Sequence, residues 1–231
     1  MHPLDNVIWE ALGTRQAHLG KNQDGARRFL PEVSVLGGFP APTQEHYDSL
    51  ARLMRPGERV GVFLDDTPAS VRGWTVISSV PLLEMVHANG DARLQERDTS
   101  QAIVSLGTQD VAEMMTLTEL TKPGPFGPRT HEMGEYWGIR DPSGSLIAMA
   151  GERLKVPGYT EISAVCTHPD YLGRGYATAL ITLLMERITG RGETSFLHVR
   201  ADNTRAVSLY ESLGFQTRVT LHYVVLAKDN L

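Results

Sequence analysis

Two periods of apolar spacing alternate along the chain. Ala177, Leu180, Ile181, Leu184, Met185 and Ile188 recur three and four residues apart, which predicts a helix burying one face. Ala206, Leu209, Tyr210 and Leu213 repeat that spacing within 203–213, and Gly214 follows where a left-handed helix end would fall. Val111, Met114, Met115 and Thr118 predict a third helix, opened by Asp110 and Glu113 as a capping box. Shorter apolar stretches predict strands at 102–106, 135–139, 145–153, 160–167, 195–200 and 218–226. Asp141-Pro142-Ser143-Gly144 is a turn sequence between two of them.

The first part of the chain is patterned less sharply. Helices are expected at 7–17 and 47–54, the second ended by Arg55-Pro56-Gly57. Strands are expected at 60–64 and 73–79, and a strand or short helix at 82–87. The stretch from Asn89 to Gln101 reads NGDARLQERDTSQ, polar between apolar flanks, and is the best boundary. The expected division is 1–95, a smaller α/β domain of unclear role, and 100–231, a mixed α/β domain.

Composition narrows the function classes. Apolar residues make up 41% and charged residues 21% of the 231 positions, an ordinary globular balance that argues against disorder. Lys and Arg total 22 against 27 Asp and Glu, a formal charge of −5, so there is no general electrostatic footprint for nucleic acid. Cys166 is the one cysteine, which excludes an intrachain disulfide and leaves a Cys/His metal cluster unsupported. No apolar run reaches membrane-spanning length, and Met1-His2-Pro3-Leu4-Asp5 has no signal pattern. The expectation is a cytoplasmic protein with no metal, nucleic-acid or membrane partner.

Chemistry concentrates in TEISAVCTHPDYLGRGYATAL, residues 160–180. A strand runs into Pro169, then a turn with Gly173 and Gly175, then the amphipathic helix. Amide N–H groups at a helix start carry partial positive charge and bind phosphate oxygens, and Arg174 adds charge there. The same turn reads equally well as a plain strand-to-helix connection in which glycine relieves strain.

Together with NTRAVSLYESLGF, residues 203–215, this stretch resembles the GNAT superfamily of acyl-CoA N-acyltransferases. Leu172-Gly173-Arg174-Gly175-Tyr176-Ala177 is similar to its pyrophosphate signature, Arg/Gln-x-x-Gly-x-Gly/Ala. The second stretch is similar to its later motif, Asn-x-x-Ala-x-x-Leu-Tyr-x-x-Leu-Gly-Phe. The resemblance covers about 102–227. Leu172 stands where the family usually has Arg or Gln, which removes one side-chain donor from a cradle made mainly of backbone amides.

The resemblance implies an α/β fold, a GNAT-type mixed, twisted sheet flanked by helices. Some relatives have tandem halves, so the smaller N-terminal α/β domain can be read as a degenerate half of the same fold. Acetyl-CoA is implied as co-substrate. Val165, Cys166 and Thr167 would pair with its pantetheine arm, in a parallel splay between this strand and 195–200. The amides of Gly173, Arg174, Gly175, Tyr176, Ala177 and Thr178 would hold the pyrophosphate. Asn203 would touch the arm while capping its helix. Tyr210 would protonate the departing thiolate, its alternative being a core aromatic. Glu161 would be the general base if half-buried with a raised pKa, its alternative being a solvated or structurally paired glutamate.

The implied function is transfer of an acetyl group from acetyl-CoA to a primary amine of a small molecule or peptide. A non-catalytic acyl-CoA sensor is the alternative, and it would need neither Tyr210 nor Glu161. A nucleotide-phosphate fold is weaker, since no Walker Gly-Lys-Ser/Thr is present. Cys166 reads as a small buried hydrophobe, and His131 and Asp65-Asp66 as solvated groups rather than substrate contacts.

Overall fold

The protein is described by a computed structural model over residues 2–88 and 102–229. Helix α1 (Val7–Gly13) leads into a small antiparallel sheet of β1 (Gly20–Gln23), β2 (Ala26–Phe29) and β3 (Gly37–Gly38). Helix α2 (Gln44–Arg52), capped by the Thr43 hydroxyl, packs Tyr47 and Leu50 inward. Then follow β4 (Arg59–Leu64), β5 (Trp74–His87), β6 (Ile103–Leu106) and α3 (Val111–Thr121). The remainder is β7 (Tyr136–Arg140), β8 (Leu146–Val156), β9 (Tyr159–Thr167), α4 (Tyr176–Gly190), β10 (Thr194–Arg200), α5 (Thr204–Ser212) and β11 (Phe215–Lys228).

Eight strands form one sheet in the order β4-β11-β5-β10-β9-β8-β7-β6. Every neighbouring pair is antiparallel except β9 and β10, which run parallel. The expected division into 1–95 and 100–231 therefore does not coincide with a break in the sheet. β4 and β5, from the first part, pair with β11 and β10 from the second. Strand pairing across more than a hundred residues leaves no local sequence signal. The boundary segment 89–101 lies outside the described residues.

The predicted face of α4 is the buried one: Leu180, Ile181, Leu184, Met185 and Ile188 pack on one side of the sheet with Met85, Leu197, Val199, Tyr210 and Phe215. On the other side, α1 covers Phe196, Leu154 and Val156, and α3 covers Met149 and Tyr136. Removing these apolar surfaces from water supplies the main drive for stacking helices on both faces.

Local details correct the sequence reading. The strand at 73–79 and the element at 82–87 are one 14-residue strand passing through Pro81. Pro81 is accommodated because β10 ends at Arg200, opposite Leu82, so Pro81 lies beyond the last ladder pair on that side. Asp110 does not cap α3; its carboxylate accepts from the Gly107 amide at 2.8 Å and from Arg140, while Glu113 also turns to Arg140. Helix α1 stops at Gly13, short of the expected residue 17.

β9 carries a bulge. Met149 pairs with Cys166 and Gly151 with Ser163, so Ala164 and Val165 together face the single residue Ala150. Ala164 adopts φ +53°, a left-handed conformation that costs a non-glycine residue about 1–3 kcal/mol. A β-branched side chain tolerates it least. Ala164→Val should therefore lose about 1–3 kcal/mol of stability in urea unfolding, while Ala164→Gly should stay within about 1 kcal/mol of the parent. Equal stability of the two variants would mean that the bulge relaxes freely.

Candidate active site

β9 and β10 pair over three positions only, Tyr159 with Thr194, Thr160 with Ser195 and Glu161 with Phe196. Beyond them β9 follows β8 to Thr167, and β10 follows β5 to Arg200. The expected splay between these strands is thus present. A cleft of about 700 Å³ opens at that end of the sheet, bounded by the end of β9, the glycine turn and α5. Ten predicted residues line it: Val165, Cys166, Thr167, Gly173, Arg174, Gly175, Tyr176, Ala177, Thr178 and Asn203; Tyr210 joins them, and Glu161 does not.

The turn is built by its glycines. Gly173 has φ +78° and Gly175 φ +80°, and Gly175 sits as the residue before α4. A Cβ at either place would meet nothing within 4 Å. Glycine is demanded here by the backbone conformation, not by crowding inside the protein. The open space lies in front of the first amides of α4, where an anion is favoured by the helix dipole. Arg174 stands over the Tyr171 ring at 4.8 Å and donates to the Asp170 carbonyl at 3.3 Å, beside that opening. Leu172, half exposed, adds no charge.

Asn203 caps α5, its side-chain oxygen accepting from the Ala206 amide at 3.2 Å. About two turns later Tyr210 packs edge-on against Phe215 at 6.1 Å. Burial pushes the Tyr210 phenol up to about 12, so it keeps its proton across the physiological range. Among the described residues its hydroxyl makes no hydrogen bond. Burial likewise pushes the Cys166 thiol up to about 11. A protonated, buried thiol is a poor nucleophile, in line with the reading of Cys166 as a small hydrophobe.

Glu161 corrects the expectation of a half-buried base with a raised pKa. It is fully buried, and burial alone would raise its pKa. Arg153 and His198 outweigh that term and hold the carboxyl down at about 2. Arg153 donates to both carboxylate oxygens, at 2.8 and 2.6 Å. The Leu154 amide donates at 3.2 Å, and His198 Nδ1 lies at 2.7 Å. Such a group is a poor proton acceptor at neutral pH. Its alternative reading, a structurally paired glutamate, is the one its surroundings describe. Arg153 and His198 lie 8 and 37 residues away, so only a cross-strand register reveals them.

Comparison with known proteins identifies the family. The FR47-like protein family matches residues 136–224, from β7 through most of β11. A solved GNAT-family protein from Novosphingobium aromaticivorans DSM 12444 is 36% identical, covers 100% of both chains and superposes with a TM-score of 0.89. The chain belongs to the GNAT family. Curated relatives match shorter stretches. An acetyltransferase of Yersinia pestis (strain Pestoides F) is 42% identical over 55 residues, 23% of this chain and 39% of the relative. The N-alpha-acetyltransferase RimI of Mycobacterium tuberculosis is 36% identical over 92 residues, 38% of this chain and 54% of the relative. In both, the match spans less than two thirds of the relative's length. Within this GNAT chain no helix of the described residues is long and apolar enough to cross a membrane.

The Glu161 pairing sets a pH dependence. Its folded pKa lies below the ordinary 4.5, so its contribution is complete above about pH 4.5 and is lost as pH falls toward 2. Glu161→Gln leaves two buried cations short of a partner and should cost about 3–5 kcal/mol at pH 7. The gap between variant and parent in urea unfolding should narrow below pH 4.5. A gap that stays constant down to pH 3 would contradict the low pKa.

Proposed function

We propose that this GNAT chain transfers an acetyl group from acetyl-CoA to a primary amine, with both substrates held together. The observation that carries the reading is the cleft itself. It gathers a bulged strand, a pair of left-handed glycines before an open helix start and a protonated tyrosine around one space of about 700 Å³. The residues present fit an acyl-CoA: the bulge interrupts the β8–β9 ladder at Val165, which lines the cleft, and a Cβ built at Gly173 or Gly175 would meet nothing within 4 Å.

Acetyl-CoA supplies a thioester whose carbonyl carbon is open to attack by a neutral amine. The chain's own groups position and polarise. Amides from Gly173 to Thr178 hold the pyrophosphate at the start of α4. Val165, Cys166 and Thr167 line the arm along the edge that β9 presents beyond its last pair with β10. The Val165 amide, at the bulge, donates to the carbonyl oxygen as charge builds there, a preorganised dipole. Asn203 contacts the arm from the head of α5. Tyr210 donates its hydroxyl proton to the leaving sulfur. Cys166 stays a thiol, so no acyl-enzyme is needed, and most of the acceleration comes from holding the two reactants in place.

Glu161 has no part as a base. The residues lining the cleft include no carboxylate or imidazole, so the amine delivers its proton to water at the cleft mouth. The rate then rises with pH until the acceptor amine is neutral. The sensor alternative keeps the glycines and Asn203 but gives Tyr210 no task.

Two measurements test the reading. Acetyl-CoA titrated calorimetrically into the protein should bind in the micromolar range. Gly175→Glu should abolish that binding, because it forces a side chain into φ +80° and puts a negative charge in the cradle. A folded parent that does not bind acetyl-CoA sinks the proposal. With an accepting amine in hand, Tyr210→Phe should lower kcat by about 10²–10⁴-fold while acetyl-CoA affinity changes little. Unchanged turnover would return Tyr210 to the role of a core aromatic and favour the sensor.

A further inference from the structure

The two halves of the sheet meet at a narrow joint. On one side β10 continues with β5 to Arg200, on the other β9 continues with β8 to Thr167. Between them stand three residue pairs, the last being Glu161 with Phe196. Among the described residues, one side-chain hydrogen bond links β9 to β10, and it lies at that last position. It runs between Nδ1 of His198 and Oε1 of Glu161, at 2.7 Å.

The imidazole is a bridge with two ends. Its Nε2 lies 3.4 Å from Oε2 of Glu84 on β5, a charge contact longer than a good hydrogen bond. Outward from Glu161, Arg153 of β8 closes one end of the chain. Outward from Glu84, Arg218 of β11 pairs with it and, at 2.9 Å, with Asp5 ahead of α1. The line across five strands reads Arg153, Glu161, His198, Glu84, Arg218, with Asp5 at its end. Signs alternate and sum to zero only when His198 carries a proton. His198 is 1% exposed, and the rings of Phe63 on β4 and Phe196 stand 4.5 and 5.8 Å from it. Among the described residues, the other titratable groups around the line are Tyr136 of β7, Tyr223 of β11, and Glu152 of β8, which pairs with Lys155 and Arg191. Burial raises both phenols, so they stay neutral beside Arg153.

We propose that His198 is a positioning residue of the acyl-CoA cleft: as an imidazolium between Glu161 and Glu84, it fixes the separation of β9 and β10 where the cleft begins. The slot for the arm, and the aim of the Ala164–Val165 bulge three and four residues beyond Glu161, then depend on its proton. A neutral ring leaves the buried line with one negative charge in excess and two carboxylates facing each other across the joint. The joint relaxes by widening, and the cleft loses its fit. This inference rests on the acyl-CoA reading above.

The sign of the pH effect follows from the neighbours. Burial alone would lower the His198 pKa, but Glu161 and Glu84 outweigh burial and raise it above 6.5. The tie is therefore complete below the ordinary pKa of 6.5 and is lost as pH rises through the higher folded-state pKa.

The experiment is acetyl-CoA affinity from pH 6 to 9 by calorimetry, for the parent and for His198→Gln. The glutamine keeps one N–H for Glu161 but no charge. Over this range Cys166 and Tyr210 hold their protons. The parent should bind about tenfold more tightly than the variant at pH 6, and the ratio should fall toward one as pH passes the His198 midpoint, which the parent's nitrogen chemical shifts locate. Ionisation of the cofactor's own phosphates affects both proteins alike and cancels in the ratio. A purely structural His198 would lower the melting temperature of the variant yet leave a constant affinity ratio, and that result overturns the proposal. Should the variant fail to fold, nitrogen chemical shifts of the parent's His198 give the same answer. Linkage requires acetyl-CoA to raise its titration midpoint, and an unmoved midpoint overturns the proposal. A parent that binds no acetyl-CoA at any pH fails differently: it removes the acyl-CoA reading itself.

Discussion

Three residue pairs and one buried line of charge hold the sheet together at its parallel joint. All other neighbouring strands in the sheet are antiparallel, and most ladders are longer. Shortening the joint creates the cleft, because two parallel strands that separate leave unpaired backbone edges facing one space. Under α4 the apolar core spans the joint, with Ile162 of β9 beside Leu197 and Val199 of β10. Arg153, Glu161, His198, Glu84 and Arg218 join the two sides where the ladder no longer does. A hydrophobic replacement of the same volume can match a buried ion chain in stability.

The parts of the site that lie on short segments were legible in the sequence. The glycine turn announces its left-handed residues, Asn203 announces a helix start, and the three-and-four spacing of α4 announces its buried face. Each signal is local, within a turn or two of chain. The bulge at Ala164 gave no such sign. Alanine is an ordinary strand residue in composition, and only the register against β8 puts two residues opposite one. Glu161 failed as a base for the same reason. Its identity and strand position were read correctly, but its partners sit on β8 and β10, and its pKa belongs to them.

The N-terminal part shows the larger version of this limit. Its strands β4 and β5 were recognisable by composition, yet their destination was not. β5 lies between β10 and β11, so the charge line and the α4-side core both pass through a strand contributed from before residue 89. Glu84 and Met85 are adjacent in sequence and serve opposite faces of the sheet, one in the charge line and one under α4. The role of the first part is therefore partly to complete the sheet that carries the cleft. The short strands β1, β2 and β3 had no clear alternation to reveal them, at two to four residues each.

Tyr210 poses an energetic question that the cleft answers. A phenol at about 12 is a weak donor to a sulfur whose thiol, in water, titrates near 8.5. In water that mismatch of about 3.5 units would be roughly 5 kcal/mol against donation. Cys166 reports what this cleft does to a thiol: burial raises it to about 11. A leaving sulfur in the same surroundings is destabilised as an anion by the same desolvation. The gap between phenol and thiol then narrows, because burial disfavours both anions. Burial that appears to spoil Tyr210 as an acid acts on both partners of the proton transfer. The burial of Tyr210 thus keeps the proton on the tyrosine until the sulfur departs.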